Sequence, residues 1–197
     1  MPKDSVETVK LFRQAAQQGL VDAQCALGSF FEFGTDGVAK DEVEAVKWYR
    51  KAADQNNAYA QSHLGNCYCN GHGVETNCSE AVKWYRKAAE QGEAEAQNSL
   101  GICFLKGYGI EKDMVEAAKW CRKAAEQGDQ GGQFSLGVMY GNGKGVPLNY
   151  IQAYKWFNIA AANSAMFQKN AADARDALAQ QMTSEQIAEA QRLERIK

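Results

Sequence analysis

Proline is nearly missing from this chain, with two residues in 197. Because proline breaks helix interiors, its scarcity predicts helix throughout. Histidine is as rare, and His63 and His72 fall so close together that no nucleophile–base–orienter set can be assembled. No apolar run approaches the roughly 20 residues that span a bilayer, so membrane insertion is not expected. The opening MPKDSVETVK lacks the apolar stretch of a secretory leader. A cytoplasmic location is therefore expected, or a periplasmic or secreted one if a leader precedes this sequence. Charge of one sign is also lacking: the net charge is -2 and the sequence pI about 5.8. Without a basic field to attract phosphates, nucleic acid is not an expected partner. What remains is the balance of an ordinary globular protein, 45% hydrophobic and 23% charged.

Internal repetition organises that composition. Trp48, Trp84, Trp120 and Trp156 stand 36 residues apart, within AVKWYRKAADQN, AVKWYRKAAEQG, AAKWCRKAAEQG and AYKWFNIAAANS. Upstream of each lies a Leu-Gly pair: Leu27-Gly28, Leu64-Gly65, Leu100-Gly101 and Leu136-Gly137. An aromatic follows three residues later: Phe31, Tyr68, Phe104 and Tyr140. Each module reads as two helices. Helix A places Ala60, Leu64, Gly65 and Tyr68, and their equivalents, on one face. It ends at paired glycines, such as Gly71 and Gly73, which can take the left-handed conformation that closes a helix. The first module has one extra residue between its glycines, Gly34 and Gly37, so its turn should bulge.

Helix B starts at Asp41, Asn77, Asp113 or Asn149, with Glu44, Glu80, Glu116 or Gln152 three residues on, a capping-box pattern. It stops at Asn56, Gly92, Gly128 or Ser164. The repeats then run over about 20–56, 57–92, 93–128 and 129–163. A half-repeat helix at 5–18 precedes them, with Leu11 where tryptophan belongs. Residues 164–197 read as capping helices: Phe167, Ala171, Ala174 and Leu178 form an apolar stripe, and Thr183 with Gln186 caps a final polar helix. Glycine at the Leu-Gly pair should let helix A approach helix B closely, while the tryptophan fills space between modules. Lys47, Arg50 and Lys51, with their equivalents, are expected to form a solvated convex face.

The pattern A…LG..Y..G.GV…D..EA..W..KAAEQG resembles the Sel1-like repeat, a relative of the tetratricopeptide repeat, over roughly residues 20–163. The segment MTSEQIAEAQRL also resembles the C-terminal part of bacterial members. The resemblance implies an all-α fold, a right-handed α/α superhelical solenoid of about four repeats with helical caps at both ends. It further implies a non-enzymatic adaptor or scaffold, monomeric, binding a peptide or protein segment in the concave groove of its A helices.

Positions that vary among the four modules are free for recognition. They are Asp22, Cys25, Ser29, Glu32 and Phe33; Tyr59, Ser62, Asn66, Cys69 and Asn70; Glu95, Asn98, Ile102, Leu105 and Lys106; and Gly131, Phe134, Val138, Gly141 and Asn142. By the resemblance these positions face the groove, and all but Glu32, Cys69, Gly131 and Gly141 are the expected binding set. Repeats 1 and 2 are polar to acidic. Ile102, Leu105, Phe134 and Val138 offer an apolar anchor in the second half.

Of the six cysteines, Cys25, Cys67, Cys69, Cys78, Cys103 and Cys121, only Cys67 and Cys103 are equivalent between repeats. Unpaired thiols suit a reducing compartment. The cysteine-rich branch of the family, with β-lactam-binding members, has two bridged cysteines per unit. It implies the alternative of a bacterial cell-envelope ligand binder or hydrolase, a pattern from which this sequence departs. His63 and Cys67 are four residues apart, a workable zinc spacing, but with Cys69, His72 and Cys78 they match no established signature. No catalytic residue, metal site or cofactor is assigned.

Overall fold

The computed structural model describes the backbone of residues 3–35, 37–163 and 165–194, and side chains over 7–35, 37–162 and 168–193. Ser164 and the Phe167 side chain lie outside the described residues. The described residues form eleven helices: α1 (Lys3–Gln17), α2 (Val21–Phe33), α3 (Glu42–Asp54), α4 (Ala58–Asn70), α5 (Cys78–Glu90), α6 (Ala94–Lys106), α7 (Met114–Glu126), α8 (Gln130–Asn142), α9 (Tyr150–Asn163), α10 (Ala165–Ala179) and α11 (Ser184–Glu194). Helices α2, α4, α6 and α8 are the A helices of the repeats, and α3, α5, α7 and α9 the B helices. Among the described residues the only β-type pairing is an isolated bridge, Thr35 to Val38, in the turn of the first module. Contacts divide the chain into two compact units, Met1–Ala96 and Gln97–Lys197. The division falls inside α6.

In the first unit Leu27, Leu64 and Tyr49 are fully enclosed, with Ala45, Ala52, Ala60 and Trp48 around them. The Leu-Gly glycine is explained by the ring behind it. A Cβ at Gly28 would stand 2.5 Å from Tyr49, and one at Gly65 would stand 2.6 Å from Tyr85. Each of those tyrosines is the residue directly after the tryptophan. The second unit repeats the arrangement with Cys121 Sγ against Gly101 at 2.5 Å and Phe157 against Gly137 at 2.7 Å. Leu11, in α1, is exposed, whereas Trp48 and Trp84 are buried and Trp120 and Trp156 half-buried.

The capping boxes form only in half. Asp41 and Asn77 accept from Glu44 N and Glu80 N at 3.0 Å each. Asp113 accepts from Glu116 N and Asn149 from Gln152 N, also at 3.0 Å. The carboxylates of Glu44, Glu80 and Glu116 turn instead to Lys47, Lys83 and Lys119. The cap residue's own N–H is already used. Asp41 N donates to Phe31 O, Asn77 N to Tyr68 O, Asp113 N to Phe104 O and Asn149 N to Tyr140 O, at 2.8–3.0 Å. The repeated aromatic thus ties each hairpin shut through its carbonyl. Among the described residues the last helix alone has the reciprocal box: Thr183 N donates to Gln186 Oε1 and Gln186 N to Thr183 Oγ1.

A second device was not singled out from the sequence. Gln24, Gln61, Gln97 and Gln133 recur at one register of the A helices and all are buried. Gln61 Nε2 donates back to Ala53 O at 3.1 Å, as Gln24 Nε2 does to Ala16 O. Gln61 Oε1 accepts from Gln91 Nε2 at 2.7 Å, and Gln97 Oε1 from Gln127 Nε2 at the same distance. A buried amide is tolerated when both ends are satisfied, as in Gln24 and Gln61, which each bind the end of one helix to the next hairpin. Gln133 donates to Ala125 O at 3.5 Å, and its Oε1 has no partner among the described residues.

The lysines of α3, α5 and α7 are exposed, and their stems also cover aromatic surface. Lys51, Lys87 and Lys123 hold their ammonium groups over Trp48, Trp84 and Trp120 at 4.1, 4.1 and 4.2 Å from the ring centroids. Arg50 and Arg122 donate to the hydroxyls of Tyr68 and Tyr140. These stems cover aromatic surface while their charges reach water. In the second unit α10 and α11 pack on α9. Tyr154 and Phe157 meet Leu178, Ala190 and Ile187 there, so the terminal helices complete a core.

Candidate functional site

Helices α2 and α4 bring together a group of side chains that the repeat framework does not require. His63 on α4 is only 7% exposed. Its Nδ1 donates to Glu32 Oε2 on α2 at 2.9 Å. Tyr49, from α3, donates its hydroxyl to the same oxygen at 2.6 Å, and Ser29 Oγ lies 3.1 Å from that hydroxyl. Three rings surround the imidazole. Tyr49 stacks on it at 5.0 Å, Tyr59 lies tilted against it at 4.2 Å, and Phe33 meets it edge-on at 6.4 Å. Tyr49 is buried, but Phe33 is 66% and Tyr59 44% exposed.

The electrostatics follow from this packing. Burial pushes the Glu32 carboxyl up, but hydrogen bonds from His63 and Tyr49 outweigh it and hold the carboxyl below the usual carboxylate range. Burial, reinforced by the bond to Glu32, raises the Tyr49 phenol well above its ordinary value. Beside the cluster opens a cleft of about 140 Å³ lined by Glu32, Phe33, Lys40, Glu42, Cys67 and His72. Lys40 spans to Glu42 at 2.8 Å.

The other expected binding residues divide by burial. In the first unit Asp22, Asn70 and Glu95 are exposed, whereas Cys25 and Ser62 are buried. Cys25 Sγ points at Asn57 Oδ1, 3.6 Å away. Asn66 accepts from the Tyr85 hydroxyl at 2.7 Å and donates to Glu95 at 2.9 Å. In the second unit Asn98 accepts from Ser135 Oγ at 3.1 Å. Ile102 and Leu105 are half-buried, and Lys106 and Asn142 are exposed. Phe134 and Val138 are half-buried and pack on one side against the core around Phe157, whose ring centroid lies 5.7 Å from that of Phe134. The large exposed aromatics of the A helices are Phe33 and Tyr59.

Glu32 and His63 were not in the expected binding set. The signal for both was their variation between repeats. The equivalents of Glu32 are Cys69, Leu105 and Gly141, and those of His63 are Ala26, Ser99 and Ser135. No group of three or more His, Cys, Asp or Glu among the described residues is placed to hold a metal ion. The six cysteines are free thiols. No described helix is long and apolar enough to cross a membrane.

Hairpins of this kind, tied head to tail by buried glutamines, define an α-helical repeat protein of the solenoid class. The Sel1 repeat profile matches residues 1–20, 21–57, 58–93, 94–129 and 131–164, and the chain belongs to the Sel1 repeat family. Sel1 repeats generally serve protein–protein interaction. Among solved structures it is similar to c5321, a protective antigen of uropathogenic Escherichia coli strains displaying an SLR fold, at 38% identity and TM-score 0.87. That likeness covers 94% of this chain and 39% of the antigen, so the chain spans about two fifths of that protein. A Sel1 repeat protein from Oxalobacter formigenes is 39% identical with TM-score 0.75, over 79% of this chain and 62% of that one. The Helicobacter pylori cysteine-rich protein B is more distant, at 28% identity and TM-score 0.52 over 66% of this chain and 94% of its own. No curated protein matches the chain. The alternative drawn from the cysteine-rich branch is not favoured.

Proposed function

We propose that the chain is a non-enzymatic interaction module that binds a peptide or protein segment on the face of its A helices. Phe33 and Tyr59 are its anchors in the first unit. The observation that carries this reading is their exposure. Two large rings stand in solvent on a hydrogen-bonded base, at positions where the fold needs no aromatic. Rigid aromatics over a largely desolvated, hydrogen-bonded support are the usual makings of a binding hot spot. The cleft alongside, at about 140 Å³, is smaller than the roughly 300–1,000 Å³ that holds a whole small molecule, and suits a single side chain. Neither α2 nor α4 carries a lysine or arginine, which argues against nucleic acid on this face.

The test is a display selection of random peptides against the wild type, followed by affinity measurement on a Phe33→Ser/Tyr59→Ser variant of unchanged helicity. Selected peptides should lose at least about tenfold in affinity on the variant, the effect of removing hot-spot side chains. Peptides that bind both proteins equally would place the site elsewhere.

A further inference from the structure

We infer that Glu32 receives the cationic end of an arginine or lysine side chain belonging to the bound segment, with Phe33 as an aromatic wall and Tyr59, packed on His63, close by. This rests on the reading of the α2–α4 face as a peptide site, and adds the chemistry of the partner.

Three observations carry it. The first is the carboxylate itself. Both donors to Glu32, the Tyr49 hydroxyl and His63 Nδ1, use Oε2. Among the described residues Oε1 has no partner, and Glu32 lines the cleft. The second is charge segregation within the first unit. The helix cations Lys10, Arg13, Lys47, Arg50, Lys51, Lys83, Arg86 and Lys87 all lie on α1, α3 and α5. Helices α2 and α4 carry Asp22 and Glu32 and no lysine or arginine. The exposed Glu95, hydrogen-bonded to Asn66, adds a further carboxylate. The cleft's own cation, Lys40, feels Glu32 only through space and is held by Glu42 at 2.8 Å, so no lysine or arginine hydrogen-bonds to Glu32 among the described residues. The third is the walls. An aromatic face attracts a cation through its quadrupole, and a planar guanidinium both stacks on a ring and forks onto a carboxylate. His72 lies near both Glu32 and Glu42 on the far side of the cleft. A cation entering between Phe33 and Glu32 therefore meets the Glu32 carboxylate with its bonded His63, the Lys40–Glu42 pair and His72.

The probe is N-acetyl-arginyl-phenylalanine amide, compared with its citrulline counterpart, which keeps the shape and loses the charge. Both are titrated into the full chain and followed by NMR at Phe33, Tyr59 and His63. The arginine peptide should saturate these signals at roughly a tenth of the concentration the citrulline peptide needs, the gain from one charge-assisted hydrogen bond. In Glu32→Gln, which keeps an oxygen for Tyr49 and His63, that difference should vanish. Should Glu32→Gln fail to fold, salt supplies the second measurement. Raising it from about 50 to about 300 mM should weaken the arginine peptide and leave the citrulline peptide unchanged. Equal titration of both peptides on the wild type overturns the inference, as does a difference that survives in Glu32→Gln. If both bind equally and both need Phe33 and Tyr59, the aromatic face stands and only the charge assignment falls. If neither peptide shifts these signals, the cation site is wrong, and the display selection decides separately whether the face binds peptides at all.

Discussion

The buried glutamines can be tested by replacing Gln61 with methionine, which keeps length and volume and removes the amide. Gln61 is 1% exposed and makes three hydrogen bonds through its amide: to Ala53 O at 3.1 Å, to Asn56 Oδ1 at 3.2 Å and from Gln91 Nε2 at 2.7 Å. None of its partners is fully stranded by the change. Ala53 O still accepts from Asn56 N, and Gln91 Nε2 still reaches Lys87 O. The loss is therefore the net value of three bonds, about 3 kcal/mol in total, rather than a larger desolvation penalty. For a chain of this size that corresponds to a fall of roughly 6–12 °C in the thermal midpoint. Circular dichroism melts of wild type, Gln61→Met, Gln91→Met and the double variant give the coupling directly. Gln61 and Gln91 should couple by about 1 kcal/mol, since each loses the same shared bond. A midpoint within about a degree of wild type for Gln61→Met would refute the reasoning. The glutamine would then be a spacer whose bonds water replaces without cost.

Two further outcomes follow from packing. Gly65→Ala places a methyl 2.6 Å from the Tyr85 ring, so it should cost about 1–3 kcal/mol as overpacking, and Tyr85→Ser in the same chain should relieve part of it in a denaturant titration. Thiol alkylation followed by mass spectrometry should label Cys69 and Cys78 first, because they are half-exposed while Cys25, Cys67, Cys103 and Cys121 are buried. Burial also pushes the Cys25 thiol up to about 11 and those of Cys67 and Cys121 up to about 12, leaving little thiolate at neutral pH. Equal labelling of all six in the native chain would contradict this.

The helical hairpins were legible in the sequence because their signals are local: a cap residue, a glycine after the last turn, a tryptophan at fixed spacing. The capping boxes were misread in part for a reason no local pattern reveals. Whether Glu44 reaches back to Asp41 depends on whether the Asp41 N–H is free, and Phe31, from the other helix, has already taken it. The glutamines were visible as a repeat, but a polar residue at fixed spacing reads as a surface residue until the helix behind it is in place. The candidate site was half legible. Phe33 and Tyr59 were marked by their variation, yet the partnership of Glu32 with His63, across 31 residues, exists only once α2 and α4 lie side by side. Phe134 and Val138 carry the opposite lesson. Their variability is genuine, but so is their packing against the core around Phe157, which leaves them half-buried and which variation alone does not reveal.

The backbone tie from the cap residue to the aromatic carbonyl spans ten residues in the first repeat, Asp41 to Phe31, and nine in the others. The same bond therefore forms across loops of two lengths, with the extra residue absorbed in the Thr35–Val38 turn. Hairpin register is thereby uncoupled from loop length. A loop of this kind is a place where residues can be gained or lost, by mutation or by design, while the helices on either side keep their pairing.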